Sequence, residues 1–92
     1  MQLDVKKFSE EKGFSNTTIE QRTIFLVTEV GEAAKEVLNI LYDEKVDQLK
    51  ERLGLELYDV FWNVIELANK LEIDLEEAFQ KKREINALRE WV

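Results

Sequence analysis

Residues 18–41, TIEQRTIFLVTEVGEAAKEVLNIL, decide the fold. Ile19, Leu26, Val30, Ala33, Val37 and Leu41 recur at spacings of three, four and seven, as one face of a helix requires. The uninterrupted apolar run Ile24–Val27 is only four residues long. A membrane-spanning helix needs roughly 20, so this helix is expected to pack in a protein core. Upstream, Ser15-Asn16-Thr17 is a connector rich in capping side chains, and Gly13 stops a short helix expected over about Asp4–Glu11. Downstream, Tyr42–Lys45 is the expected turn. A third helix follows over about Asp47–Leu71, with Leu49, Leu53, Val60, Val64, Leu67 and Leu71 on its stripe. Asp74 reads as an N-cap, with Glu77 at the N3 position, and opens a fourth helix from Leu75 to near the C-terminus. The chain has no proline and three glycines, and few stretches alternate as a strand would.

The fold class is therefore all-α, a four-helix chain in one domain over residues 1–92. A core of this size is modest, which predicts a helical bundle completed by oligomerisation. Thirteen Lys and Arg stand against twenty Asp and Glu, a formal charge of −7, which argues against nucleic-acid backbones as partners. The N-terminal MQLDVKKFSEEKG lacks the apolar stretch of a signal peptide, so a cytoplasmic protein with no membrane partner is expected. The absence of Cys and His excludes disulfides, zinc fingers, haem-ligating histidine and Cys or His nucleophiles. Any metal must take oxygen ligands, which points to Mg²⁺, Mn²⁺ or Ca²⁺.

Two sets of acids could supply those ligands. Glu29, Glu32 and Glu36 share an arc of roughly 60° on the second helix. Glu56, Asp59 and Asn63 share a similar arc on the third. Either set alone reads more readily as a solvated acidic face. Their repetition on two long helices, both edging the apolar stripe, favours a cation site between them. On the fourth helix Lys82, Asn86 and Arg89 lie near the arc of Leu75, Ala78 and Phe79. Basic groups there need acidic partners or a bound anion, unless their stems pack and their heads reach water. Gly31 and Gly54 sit inside helices at a cost of about 1 kcal/mol each relative to Ala, which close helix approach would explain. Phe14, in a Gly/Ser/Asn loop before the acidic helix, could stack on a flat ligand such as a nucleobase. Phe8, Phe25, Trp62 and Trp91 read as core or interface residues.

Glu29-Val-Gly-Glu32, then 23 residues, then Glu56-Leu-Tyr-Asp59, resembles the ExxE…ExxD signature of MazG-like nucleoside triphosphate pyrophosphohydrolases. LVTEVGEAAKEV resembles the second-helix segment of that family. LGLELYDVFWNVIELANKLEIDLEEAFQKKREIN resembles its third and fourth helices, including the Lys-xxx-Asn pair at Lys82 and Asn86. KGF at residues 12–14 resembles its short aromatic-ending motif. The likeness covers nearly the whole chain. It departs at Thr28, where many relatives carry another Glu, and at Asn63, where relatives vary.

The resemblance implies an all-α dimer or tetramer that binds Mg²⁺ (or Mn²⁺) through Glu29, Glu32, Glu56 and Asp59. It implies hydrolysis of nucleoside triphosphates, including non-standard or deoxy ones, to monophosphate and pyrophosphate in a house-cleaning role. Without His, a carboxylate is the natural base, Glu29 or Glu32, with Glu36 as an outer ligand or alternative. Lys82 and Arg89 would hold the phosphate tail, Asn86 would orient it or a metal water, and Asn63 would meet ribose or base beside Phe14. The competing expectation is a non-catalytic acidic helical module for dimerisation or regulation. A ferritin-like di-iron bundle is remote without histidine.

Overall fold

The computed structural model describes residues 1–42 and 46–89. Its helices are α1 (Gln2–Glu11), α2 (Ile19–Tyr42), α3 (Val46–Lys70) and α4 (Leu75–Leu88), with a 3-10 turn at Phe14–Asn16. The described residues form no strand, as expected. Residues 43–45 of the expected turn and Trp91 lie outside the described residues.

Local chemistry sets the boundaries. After α1 the chain reverses through Gly13, whose φ of 75° costs glycine little. Thr18 and Gln21 cap α2 reciprocally: the Gln21 amide donates to Thr18 Oγ1 and the Thr18 amide to Gln21 Oε1, both at 3.0 Å. Asp74 caps α4 as expected, its Oδ1 accepting from the amides of Glu76 and Glu77. α3 ends with the Ile73 amide donating to the Ala68 carbonyl and the Glu72 amide to the Asn69 carbonyl. This is the bonding of a Schellman motif, and it puts Glu72 at φ 55°, where glycine is the usual residue. Gln2 ties α1 to that turn, donating to the Ile73 carbonyl and accepting from the Leu75 amide.

α2 and α3 form an antiparallel hairpin whose seam alternates spacings of four and three. α2 turns inward Arg22, Leu26, Glu29, Ala33, Glu36 and Ile40. α3 answers with Leu49, Leu53, Glu56, Val60, Asn63 and Leu67. Of the stripe expected on α2, Leu26 and Ala33 do face inward, whereas Ile19, Val30, Val37 and Leu41 are exposed. The helix is turned by about 60° from the apolar reading, because three charged residues occupy seam positions. Val64 of the stripe expected on α3 is exposed, and Leu71 is exposed in the turn just past the helix end.

α1 packs on α3 and buries Val5 and Ser9. α4 is covered least, with only Leu75 and Asn86 half-buried among its residues. The radius of gyration is 16.1 Å, against about 12 Å for a compact chain of this length. Gly31 and Gly54 do not mark close helix approach within the chain, since a Cβ at either position would meet nothing within 4 Å. No helix among the described residues is long and apolar enough to cross a membrane.

Candidate metal centre

Three of the four expected metal ligands converge. One carboxylate oxygen from each of Glu29, Glu32 and Glu56 lies within 4.8 Å of the others. Glu29 and Glu56 occupy facing seam positions, and Glu32 sits one turn along α2 at the solvent edge. The Oε2 atoms of Glu29, Glu36 and Glu56 are buried, and no amide, hydroxyl or cationic group among the described residues donates to them. Buried carboxylate oxygens left unpaired are costly. A hard divalent cation satisfies several such oxygens at once, so the donor set fits Mg²⁺ or Mn²⁺. Desolvation pushes the Glu56 carboxyl above its ordinary pKa. The negative charge of Glu32, a hydrogen bond shared with Glu29, and the charges of Glu29 and Asp59 add to that shift.

Asp59 is outside the three-oxygen cluster but one turn from Glu56 on α3. It joins the acids to an aromatic cleft of about 600 Å³ lined by Phe8, Phe14, Tyr58 and Trp62, with Met1, Asp4 and Val5. Phe14 is exposed, its ring centroid 6.1 Å from Trp62 and 6.2 Å from Phe8. The edge-to-face geometry with Trp62 is a favourable aromatic arrangement. Tyr58 and Trp62, at i and i+4 on α3, flank Asp59. That spacing could have marked them as site residues, but the sequence reading left Trp62 in the core or interface.

Asn63 is buried, and the protein uses both ends of its amide. Its Oδ1 accepts from Arg22 Nη1 at 3.1 Å and its Nδ2 donates to the Asp59 carbonyl at 2.8 Å. Arg22, which sequence reasoning passed over, is 5% exposed. Its Nη2 donates to Thr17 Oγ1 at 3.0 Å and lies 3.5 Å from Glu66 Oε2. Ser9 Oγ donates to the same Glu66 oxygen at 2.8 Å. The guanidinium also lies 5.5 Å from the Phe25 ring centroid and 5.3 Å from that of Trp62. Arg22 thus fastens the connector and α2 to α3 beside Trp62, and α1 joins the network through Ser9 on Glu66.

The α4 residues stand elsewhere. Lys82 lines a second cleft between α3 and α4, with Phe61, Val64, Leu75 and Phe79, and none of the four expected metal ligands lines it. Asn86 is half-buried near the end of α4. Arg89 is the C-cap of that helix, at φ −85° and ψ 137°, and its amide donates to the Asn86 carbonyl at 3.3 Å.

Comparisons with protein-family models, with curated proteins and with solved structures give no match.

Proposed function

We propose that this protein is a Mg²⁺-dependent nucleoside triphosphate pyrophosphohydrolase that releases nucleoside monophosphate and pyrophosphate. The observation that carries the reading is the cluster of Glu29, Glu32 and Glu56 across the α2–α3 seam, in which the buried Oε2 atoms of Glu29 and Glu56 have no amide, hydroxyl or cationic donor among the described residues. The ordered likeness to the MazG-like signature supports it, as does an aromatic cleft that begins at Asp59.

Glu29, Glu32, Glu56 and Asp59 would hold the cation. When bound, Mg²⁺ supplies neutralisation of phosphate oxygens and a more acidic water. Phe14 and Trp62 offer ring faces and edges to a nucleobase, and the adjoining Asp59 sets the triphosphate at the acids. Glu29 or Glu32 takes the proton from the attacking water. The water oxygen bonds to the α-phosphorus as the bond to the bridging α–β oxygen breaks, and the electron pair leaves with pyrophosphate. The sequence has no glycine-rich phosphate loop to grip the β- and γ-phosphates, so cationic and amide side chains must take that part. Lys82, Asn86 and Arg89 are assigned to it, within a homo-oligomer that brings the sparsely covered α4 against a neighbouring chain. Arg22 and Asn63 are positioning residues for Trp62 and Asp59.

The test is pyrophosphate release from a panel of standard and modified ribo- and deoxynucleoside triphosphates, with Mg²⁺ and with EDTA. Mg²⁺-dependent release from at least one substrate is expected. A thermal melt with Mg²⁺ and a nonhydrolysable triphosphate separates the non-catalytic alternative. A joint shift larger than either alone supports the enzyme, and no shift supports the module.

A further inference from the structure

The chain exposes 7500 Å² of accessible surface, against about 5600 Å² for a folded monomer of its mass. The excess of about 1900 Å² exceeds the roughly 800 Å² per partner of a standard interface and falls in the obligate range. Part of it is one ordered feature of α2. Ile24, Val27, Gly31, Ala34, Leu38 and Leu41 repeat at spacings of three and four, about 150° round the helix from the α2–α3 seam. The four large ones are 56–67% exposed. Gly31 has no atom of its own chain near its missing Cβ. This is a second heptad seam, left open by the described residues.

Its order of sizes reads the same in both directions: large, large, small, small, large, large. The midpoint falls between Gly31 and Ala34. An isologous contact about a two-fold axis needs such self-complementarity. No acid lies on this stripe from Ile24 to Leu41, although the chain carries a net charge of −7. We propose that this face of α2 packs against the same face of a second copy, antiparallel. Gly31 meets the partner's Ala34, Val27 meets the partner's Leu38 and Ile24 meets the partner's Leu41. A parallel pair would set Glu20, which continues the stripe at its N-terminal end, against its own copy. The antiparallel pair separates those charges and sets the helix dipoles head to tail. The small residues at the centre let the two backbones approach closely, which accounts for glycine inside an exposed helix. The proposal rests on the assembly part of the functional reading and names its surface; it uses none of the metal-binding residues.

The chain has no cysteine, so single introduced thiols report cleanly. Ile24→Cys and Leu41→Cys, both at exposed positions, are treated separately and as a mixture with a short bifunctional maleimide. In the antiparallel pair two copies of position 24 stand about 25 Å apart along the helices, whereas positions 24 and 41 face each other. The mixture should give on the order of tenfold more cross-linked dimer than either variant alone. Efficient cross-linking of Ile24→Cys by itself overturns the antiparallel register. A monomeric wild-type chain at micromolar concentration overturns the whole proposal, including the case in which a different protein covers the stripe. A wild-type oligomer whose mixed cysteines do not cross-link overturns this surface and leaves assembly through another. Pyrophosphate release is measured on the same samples, so failure of the seam and failure of the enzymatic reading are seen separately.

Discussion

Replacing Arg22 by Met tests how the aromatic cleft is held. The substitution keeps much of the apolar stem and removes the guanidinium. Asn63 Oδ1 and Thr17 Oγ1 lose a charged donor, at 3.1 and 3.0 Å. Glu66, 3% exposed, loses its contact with the guanidinium and keeps the hydrogen bond from Ser9. Breaking a buried pair from one side costs about 3–5 kcal/mol, because the other charge stays buried without compensation. For a chain of this length total stability is about 5–14 kcal/mol, so the loss is a large share of it. Each kcal/mol lowers Tm by roughly 4–8 °C in a domain of this size, so Arg22→Met should melt well over 10 °C lower at matched protein concentration. Glu66→Gln removes the orphaned charge, and the double variant should recover about 1–3 kcal/mol relative to additivity. Chemical denaturation of the four proteins at fixed concentration completes the cycle. A cost below about 1 kcal/mol for Arg22→Met, or simple additivity with Glu66→Gln, would refute the view that this network holds the cleft.

Other outcomes follow from the acids, the turn and the cleft. The raised pKa of Glu56 means that the folded protein keeps this proton to higher pH than the unfolded chain. Metal-free stability should therefore fall as pH rises from the ordinary carboxylate range through the folded pKa, then level off. Glu56→Gln should raise the metal-free Tm above that range, flatten the fall and weaken stabilisation by Mg²⁺; unchanged melts on every count would mean a solvated acidic face. Glu72→Gly relieves a left-handed residue at the end of α3 and should stabilise by about 1 kcal/mol in denaturant titration. Phe14→Ala should raise KM for the triphosphate several-fold and lower the melting temperature only modestly, since the residue is 42% exposed. A KM unchanged across the substrate panel would remove Phe14 from the site.

The helices were legible because composition, caps and period agree: Asp74 caps α4 and the α2 boundaries differ from the expected ones by one residue at each end. Helix rotation was not. Val30, Val37 and Leu41 look like core by hydropathy, yet Arg22, Glu29 and Glu36 take the seam positions beside Leu26 and Ala33. An apolar stripe locates a buried face only when the buried residues are apolar, and a polar seam breaks that rule where a site stands. Glu29, Glu32 and Glu56 were nevertheless found, because their spacing survives the rotation. The Arg22 network was invisible, since Arg22, Asn63, Glu66 and Ser9 meet only in three dimensions. Gly31 suggests close helix approach, but a sequence does not say which of two helix faces the chain itself covers.

The central claim is tested most directly by ³¹P NMR of the products formed from an active nucleoside triphosphate and Mg²⁺, by wild type and Glu32→Gln. Attack at the α-phosphorus predicts nucleoside monophosphate and pyrophosphate as the primary products, with EDTA abolishing both. Losing one carboxylate of the cluster should lower kcat on the order of 10²-fold, comparable to removing a main electrostatic stabiliser. Orthophosphate and nucleoside diphosphate as primary products, or a Glu32→Gln protein as active in EDTA as wild type is in Mg²⁺, would contradict the account.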